Sequence, residues 1–292
     1  GDITDAYFLT RFGPTDQFTV RVGKQVISWG ENTFIGGSLN DINTVDISKV
    51  RQPGVELKDA LTGTNALYGS WAVNPAISLE AFWLLNYDEL KVDPLGGFFG
   101  TLDILADGGG FPTVFNPVTG APVAALAPDG QPTGFGPLTR GHDKRPSAWG
   151  QYGVALRYYA PNLGNGFDFG LYYERLDDHN PQVSTIARSR QFNITYADAV
   201  ERYGASFNTT LGPWAIGGEY SWRRNAPVQG YDFMQVALAG NDGAGGHTFA
   251  PGTWYDGFRR YQRHQLQLTG QRLWGPMPMF KADQWNTIGE IG

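Results

Sequence analysis

The connections between the β-like segments of this chain alternate strictly between short and long. Alternation of apolar and polar residues predicts about ten strands. They lie at 5–12, 17–29, 65–73, 77–90, 147–160, 167–178, 201–211, 213–224, 261–274 and 284–292. Short links such as NPA and GP follow long ones such as 91–146. This parity is typical of an outer-membrane barrel, which has tight periplasmic turns at one rim and long extracellular loops at the other.

We therefore predict an all-β fold, an antiparallel up-and-down transmembrane β-barrel in which 1–292 form a single domain in the bacterial outer membrane. The stretch PWAIGGEYSW shows the two faces that such a strand needs, since successive side chains point to opposite sides. Trp214 and Trp222 end the apolar face, and Glu219 lies on the polar face. Trp prefers the interface between membrane and water, so the apolar face is predicted to contact lipid. Glu219, on the opposite face, is predicted to point into a lumen. A soluble sandwich with the same face packed inward is the alternative.

Aromatic residues on the apolar faces give a more specific expectation. Outward positions in two bands about 25 Å apart are predicted for an outer-membrane barrel. The residues assigned to them are Trp83, Trp214, Trp222, Tyr158 and Tyr173.

Composition and charge narrow the classes of function. The chain has 40 Gly, 9 Trp, 14 Tyr and 18 Phe, and this high content of glycine and aromatic residues favours β structure. It has no Cys, which excludes a disulfide scaffold. Its net charge of -6 and the lack of a basic run do not favour a nucleic-acid partner. No apolar run is long enough for a transmembrane helix.

Several runs resemble a known family. They include GGSLNDINTVDISKVRQPGVELKDAL, GQYGVALRYYAP, GEYSWRRNAPVQ and QLQLTGQRLWGP. These runs are similar to the outer-membrane proteins grouped as domain-of-unknown-function family 1302, and the similarity extends from near Phe18 to the last residue. Members of that family are longer, so the resemblance implies that this chain is a partial barrel without both ends.

The resemblance also implies a function and partners. Proteins of this family are implicated in moving alkanes, sterols or fatty-acid-like molecules across the outer membrane. They are often encoded beside a lipoprotein-like partner and an inner-membrane pump. We expect a channel for hydrophobic or amphipathic small molecules, in contact with outer-membrane lipid. The alternative is a noncatalytic structural or adhesion protein that binds a partner through its long loops. A conduit needs a continuous path through the lumen, whereas a scaffold can be filled.

The inward faces suggest a substrate path of aromatic and charged side chains. The residues predicted to line it are Arg21, Trp29, Glu80, Phe82, Trp149, Arg157, Tyr159, Tyr172, Glu174, Glu219 and Arg223. Their charges either form ion pairs that brace the wall or orient a substrate headgroup, with the aromatic rings receiving an apolar tail. Arg157 with Trp149 and Tyr159 is the best such cluster on one strand, unless Glu174 neutralises Arg157.

Catalytic and metal sites are not expected. Glu80 and Glu219 are imaginable as a glycosidase pair, but inward acids are common in barrels, and their spacing in sequence does not set their separation. The four His are scattered without metal-ligand spacing. We therefore predict no enzyme activity, no cofactor and no metal.

The sequence also predicts the structure of two of the long loops. The extracellular loop 91–146 is rich in Gly, Pro, Phe and Leu, and is expected to plug the pore, to cover it as a lid, or to lie on the surface. In DISKVRQPGVELKDALTG a helical turn is predicted to begin at Asp46, and a second short helix to end at Gly63.

Overall fold

The structure is a computed structural model, which describes residues 5–32, 34–51, 61–95, 97, 104–106, 138–230, 232–242, 246–276, 279 and 283–292. Ten of its strands are long and form one sheet. They are β1 Ala6–Phe12, β2 Phe18–Gln25, β5 Thr64–Asn74, β6 Ile77–Leu84, β8 Tyr152–Ala160, β9 Phe167–Leu176, β12 Val200–Leu211, β13 Trp214–Gln229, β15 Phe258–Trp274 and β16 Trp285–Ile291. The strands in the long connections are β3 Thr44–Val45, β4 Leu61–Thr62, β7 Thr139–Arg140, β10 Gln182–Ile186, β11 Gln191–Thr195 and β14 Trp254–Tyr255.

The main sheet is an antiparallel meander. Its order is β1-β2-β5-β6-β8-β9-β12-β13-β15-β16, so each long strand pairs with the next long strand in the chain. Consecutive connections therefore leave from opposite rims, and the short turns lie at one rim while the long connections lie at the other. The predicted β class and meander are confirmed, since strand makes up 55% and helix 5% of the structure. Most strand boundaries fall within a few residues of the prediction.

The ten strands form an open sheet in the described part of the chain. Strands β1 and β16 are its two edges, and no ladder between them is present among the described residues. A closed barrel is therefore not found in that part, and the predicted transmembrane barrel stays a prediction. None of the described helices has the length and apolar character that a membrane crossing requires.

The two faces of the sheet differ as the alternation predicts. We call the outer face the one that carries Val154 and Leu171, whose side chains are 50% and 57% exposed. The inner face carries Tyr172, Glu174 and Glu219, which are buried. Cross-strand pairing keeps each face continuous, because residues directly opposite each other point to the same side. The apolar side chains are thus on the exposed face and many of the charged ones are on the buried face.

The inner face is buried because the first long connection folds across it. We call residues 26–32 and 34–46 the inner segment. Its Ile27, Trp29, Leu39 and Ile42 are each at most 1% exposed and pack in one core with apolar side chains of the inner face. Burying such side chains stabilises the fold by roughly 1.5–3 kcal/mol each. The main hydrophobic core therefore lies between the inner segment and the sheet.

The other long connections build a second structure, which we call the loop cap. Its sheet has the order β14-β10-β11-β7, with β7 parallel to β11. A helix, Phe233–Ala239, ends at Gly240 in the left-handed conformation that favours glycine. The helix and this sheet share a core of Leu138, Val183, Phe192, Ile194, Phe233 and Ala237.

The helical expectations near Asp46 have two outcomes. A one-turn helix, Ile47–Val50, begins at Asp46, whose side chain accepts hydrogen bonds from the backbone N–H groups of Ser48 and Lys49, as predicted. The prediction of a second helix ending at Gly63 is wrong for the last turn of that helix. Residues Leu61 and Thr62 form β4, which pairs with β3. The rest of that prediction falls on 52–60, outside the described residues.

The loop 91–146 is described in part only. Residues 138–146 include β7 and belong to the loop cap. The plug or lid predicted for this loop rests mostly on 98–103 and 107–137, which lie outside the described residues, so it stays a prediction.

Candidate functional site: the inner face and its segment

Glu219 holds the inner segment by its backbone. Its carboxylate accepts hydrogen bonds from the backbone N–H groups of Glu31 at 2.6 Å and Leu39 at 3.3 Å. Strand β13 places Glu219 on the inner face, where it is 2% exposed. A buried carboxylate is stable only when it is paired or hydrogen-bonded. The two backbone donors meet that need and fix two points of the inner segment on the sheet.

Asp41 makes the main ionic contact of the inner segment. Its carboxylate contacts the guanidinium groups of Arg223 and of Arg202, the latter at 3.4 Å. Burial alone would raise the pKa of Asp41, but the positive charges of Arg223 and Arg202 outweigh it and hold this pKa below its usual range. Arg202 also pairs with the buried Glu174 at 3.5 Å.

Trp29 anchors the inner segment against the first half of the sheet. Its indole N–H donates to Glu80 at 2.7 Å, and its ring centroid lies 4.8 Å from Phe82 and 5.7 Å from Tyr172. Glu80 also accepts from Arg157 Nε at 2.7 Å. The charge of Arg157 is thus neutralised by Glu80 and not by Glu174.

Glycine residues on the inner face make room for the inner segment. A Cβ atom at Gly204 would collide with the side chain of Leu39, and one at Gly153 would lie 2.8 Å from the Trp29 ring. A Cβ atom at Gly217 would lie 3.0 Å from the Cβ atom of Glu31. These positions require glycine because the segment approaches the strand backbone closely.

Most of the predicted path residues do lie on the inner face, whereas Trp29 lies in the inner segment because β2 ends at Gln25 and not at residue 29 as predicted. Besides those described above, Arg21 lies 4.2 Å over the ring of Tyr68, and Arg223 is buried. Tyr159 lies at the short-turn end of the inner face, opposite Asp168. The structure thus brings Trp29, Glu80, Phe82, Arg157 and Tyr172 into one cluster.

Trp149 does not join that cluster. The strand expected from residue 147 begins instead at Tyr152, and Trp149 is 68% exposed in the preceding connection. Ser147, Gly150 and the neighbouring loop residues interrupt the alternation, and Gly150 has a positive φ that ends regular strand geometry. Trp149 and Arg157 therefore do not share a strand, so the single-strand cluster predicted with Tyr159 is not assembled.

The sequence did not single out the inner segment itself. Glu31 and Asp41 are central to the site, yet neither lies in an alternating strand. Burial raises the pKa of the Glu31 carboxyl, against a hydrogen bond from Asn208 at 2.7 Å and the charge of Arg157. The sequence feature that could have revealed the inner segment is the presence of glycine at inward positions of the strands. Such glycines indicate that another backbone approaches the sheet at those positions.

Metal ligands are not grouped in the described part of the chain. No set of three His, Asp or Glu side chains comes together there in a way that would hold an ion. The chemistry that the inner face offers is ionic pairing, hydrogen bonding and aromatic contact.

The outer face carries aromatic rings in rows. Near the long connections, one ring from each of six neighbouring strands follows the next, with centroids 5.1 to 6.2 Å apart. The row consists of Trp83, Tyr152, Tyr173, Tyr203, Trp222 and His264. Near the short turns, Phe12, Phe18 and Trp71 stack in the same way. All five aromatic residues predicted to point outward lie on this face by their pairing.

Fold and site together define a class: an antiparallel β-meander with an exposed apolar outer face and a charged inner face covered by its own first long connection. The chain belongs to the family described as "Protein of unknown function (DUF1302)", whose family model matches residues 1–292, the whole chain. The resemblance seen in the sequence is thereby confirmed. No curated protein and no solved structure matches the chain.

Proposed function

We propose that the protein lies in a bacterial outer membrane and passes hydrophobic or amphipathic small molecules, such as alkanes, sterols or fatty acids. In this proposal the ten long strands are part of a barrel wall, with the short turns periplasmic and the long connections outside. The family resemblance adds two proposed partners, a lipoprotein-like protein and an inner-membrane pump. The protein itself carries out no chemical reaction.

The observation that carries the proposal is the outer face. On strands β8 to β15, exposed apolar side chains such as Val154, Leu171 and Leu266 lie between the aromatic row near the long connections and the aromatic side chains near the short turns. An apolar surface of this extent is unfavourable in water and favourable in lipid. Aromatic rows at both rims with apolar residues between them are the pattern of a barrel wall at its two membrane interfaces.

Passage of a molecule requires the inner segment to move. Phe82 and Tyr172 provide apolar contacts for a substrate on the inner face, but Trp29 of the inner segment packs on both of them. Its attachments through Glu219 and Asp41 are polar, and such contacts exchange with water or with a ligand. We infer that the inner segment is the gate of the lumen.

A disulfide between the inner segment and the sheet tests this gate. The hydroxyl oxygens of Ser38 and Ser221 are 2.9 Å apart and buried, so cysteines at both positions are well placed to form a disulfide. The 292 residues of the chain include no Cys, so no other disulfide within it competes. In the oxidised S38C/S221C variant we expect transport of hexadecane into proteoliposomes to stop, and dithiothreitol to restore it.

The single variant S38C is the matched control. Under the same oxidant it should transport hexadecane at the rate of the unmodified protein. If the oxidised double variant is folded and also transports at that rate, the inner segment does not gate the lumen. The path would then not run along the inner face.

The structural or adhesion role is the second candidate. Two observations favour it: the inner face is filled by the inner segment, and the loop cap has a core of its own that includes Phe192 and Phe233. An ordered cap presents a fixed surface to a partner. Absence of hexadecane transport by the reduced, folded protein would support this role over the channel.

A further inference from the structure

A polar cavity of about 340 Å³ lies beside the inner segment, at the end of the sheet that faces the long connections. Three strands supply one arginine each to its lining: Arg202 from β12, Arg223 from β13 and Arg263 from β15. These three residues are cross-strand neighbours on the inner face. Asp41 is the one carboxylate among the lining residues. Among the lining side chains the arginines therefore outnumber the carboxylates, and Arg263 is the arginine for which no carboxylate partner is found in the described part of the chain.

The guanidinium groups hold donors that their ion pairs do not use. Each guanidinium group has five N–H donors. Arg202 contacts Glu174 and Asp41, and Arg223 contacts Asp41 and Asp178. The Nε atoms of Arg202 and Arg223 are nevertheless buried, and no described residue forms a hydrogen bond with them. Buried N–H groups normally form a hydrogen bond, so the two Nε–H groups are available to donate to an anionic oxygen of a ligand.

Arg263 adds a cation that can still be paired. Within the described part of the chain it forms no salt bridge, and its two terminal nitrogens lie beside Gly37 of the inner segment. His179 also lines the cavity. Its Nδ1–H donates to the backbone carbonyl of Asp88 at 2.6 Å. A guanidinium fork matches a carboxylate or phosphate with two parallel hydrogen bonds.

We infer that this cavity binds the anionic headgroup, carboxylate or phosphate, of an amphipathic molecule. The inference rests on the proposed function, because it assigns a substrate class to the same inner face. The headgroup site is thus formed by these arginines and not by Arg157, as the sequence suggested, because Glu80 neutralises Arg157. The headgroup meets Arg263 first, since this is the exposed member of the three arginines.

Binding of paired probes tests the inference. Equilibrium binding of dodecanoate and of dodecanol, which share a chain length and differ in charge, is measured on the full chain in detergent. We expect the protein to bind dodecanoate more tightly. In Arg263→Gln the Kd of dodecanoate should rise about tenfold, the loss of one charge-assisted contact, while the Kd of dodecanol stays unchanged. The exposed position of Arg263 keeps this variant folded.

Arg272→Gln is the matched control, because it removes the same charge from the other end of β15, where Arg272 lies over the ring of Trp274. Both Kd values should be unchanged in it. Equal binding of the two probes by the unmodified protein, or an unchanged dodecanoate Kd in Arg263→Gln, overturns the headgroup site and leaves the channel proposal intact. If neither probe binds, the proposed function fails as well.

Inorganic phosphate distinguishes the two sources of such an anion. Displacement of dodecanoate by phosphate at millimolar concentration supports a site that takes free anions. Lack of displacement, together with the effect of Arg263→Gln, supports a site that requires the headgroup of an amphiphile.

Discussion

Glu219 shows how one carboxylate on the sheet controls a distant segment. Because it accepts two backbone hydrogen bonds, Glu219→Gln leaves one of the donors, Glu31 or Leu39, without its acceptor. We expect the variant to lose about 1–3 kcal/mol of the free energy of unfolding. Urea unfolding in detergent micelles measures the loss.

The same substitution at an outer position provides the comparison. Glu201 forms an exposed ion pair with Arg224 at 3.0 Å, so Glu201→Gln should cost less than about 1 kcal/mol. Equal losses in the two variants would mean that Glu219 does not hold the inner segment in solution.

Asp41 makes the attachment of the inner segment dependent on pH. Its pKa is lowered in the folded protein from the ordinary value of 3.8, so its contribution to stability is complete above that value. The contribution is lost as pH falls from there through the folded pKa. We expect the unfolding free energy of the unmodified protein to fall in this acidic range.

Asp41→Asn separates this effect from that of the other acids. The variant should lack that part of the pH dependence and be less stable at neutral pH by about 3 kcal/mol, because Arg202 and Arg223 lose a charged partner. Acid titration of the urea midpoint compares the two proteins. An identical acid profile would contradict the assignment.

At the scale of the element, each long strand has one face that is predicted to meet lipid. Leu171 lies in the middle of β9 on the outer face and is 57% exposed. Near the centre of a bilayer, Leu171→Arg should cost about 2–4 kcal/mol. In water, an exposed position tolerates such a change within about 0.5 kcal/mol. Urea unfolding from lipid vesicles measures the cost.

Leu163→Arg is the control, since Leu163 is also exposed but lies in the short turn between β8 and β9. It should be nearly neutral in the same vesicles. If Leu171→Arg is as stable as Leu163→Arg, the outer face is not in contact with lipid, and the proposed membrane location is wrong.

The strands were predictable because alternation is a local property of the sequence. The pattern placed β9 at 167–178 and the structure has it at Phe167–Leu176. The inner segment has no such period. Its position depends on side chains such as Glu219, far away in sequence, and on glycines such as Gly204 that leave space on the sheet. Sequence patterns show which face is buried, but not what covers it.

At the scale of the whole molecule, the parity of the connections led to the correct order of the ten strands. It did not predict that the first long connection returns to the inner face, nor that three others share a loop cap. Both structures arise from contacts between connections, and their residues show no periodicity before folding. The predicted path residues illustrate this. Trp29 lies in the segment that was not foreseen, and six others lie around it: Glu80, Phe82, Arg157, Tyr172, Glu219 and Arg223.

One contact of the inner segment determines when it can be completed during assembly. The backbone N–H groups of Phe34 and Ile35 donate to Glu290 on β16, at 2.6 and 2.8 Å, across 256 and 255 residues of chain. Each hairpin of the meander joins neighbours in sequence and closes early, whereas contacts between distant residues close late. The inner segment therefore completes its docking only after β16 has joined the sheet, although it lies before β5 in the chain.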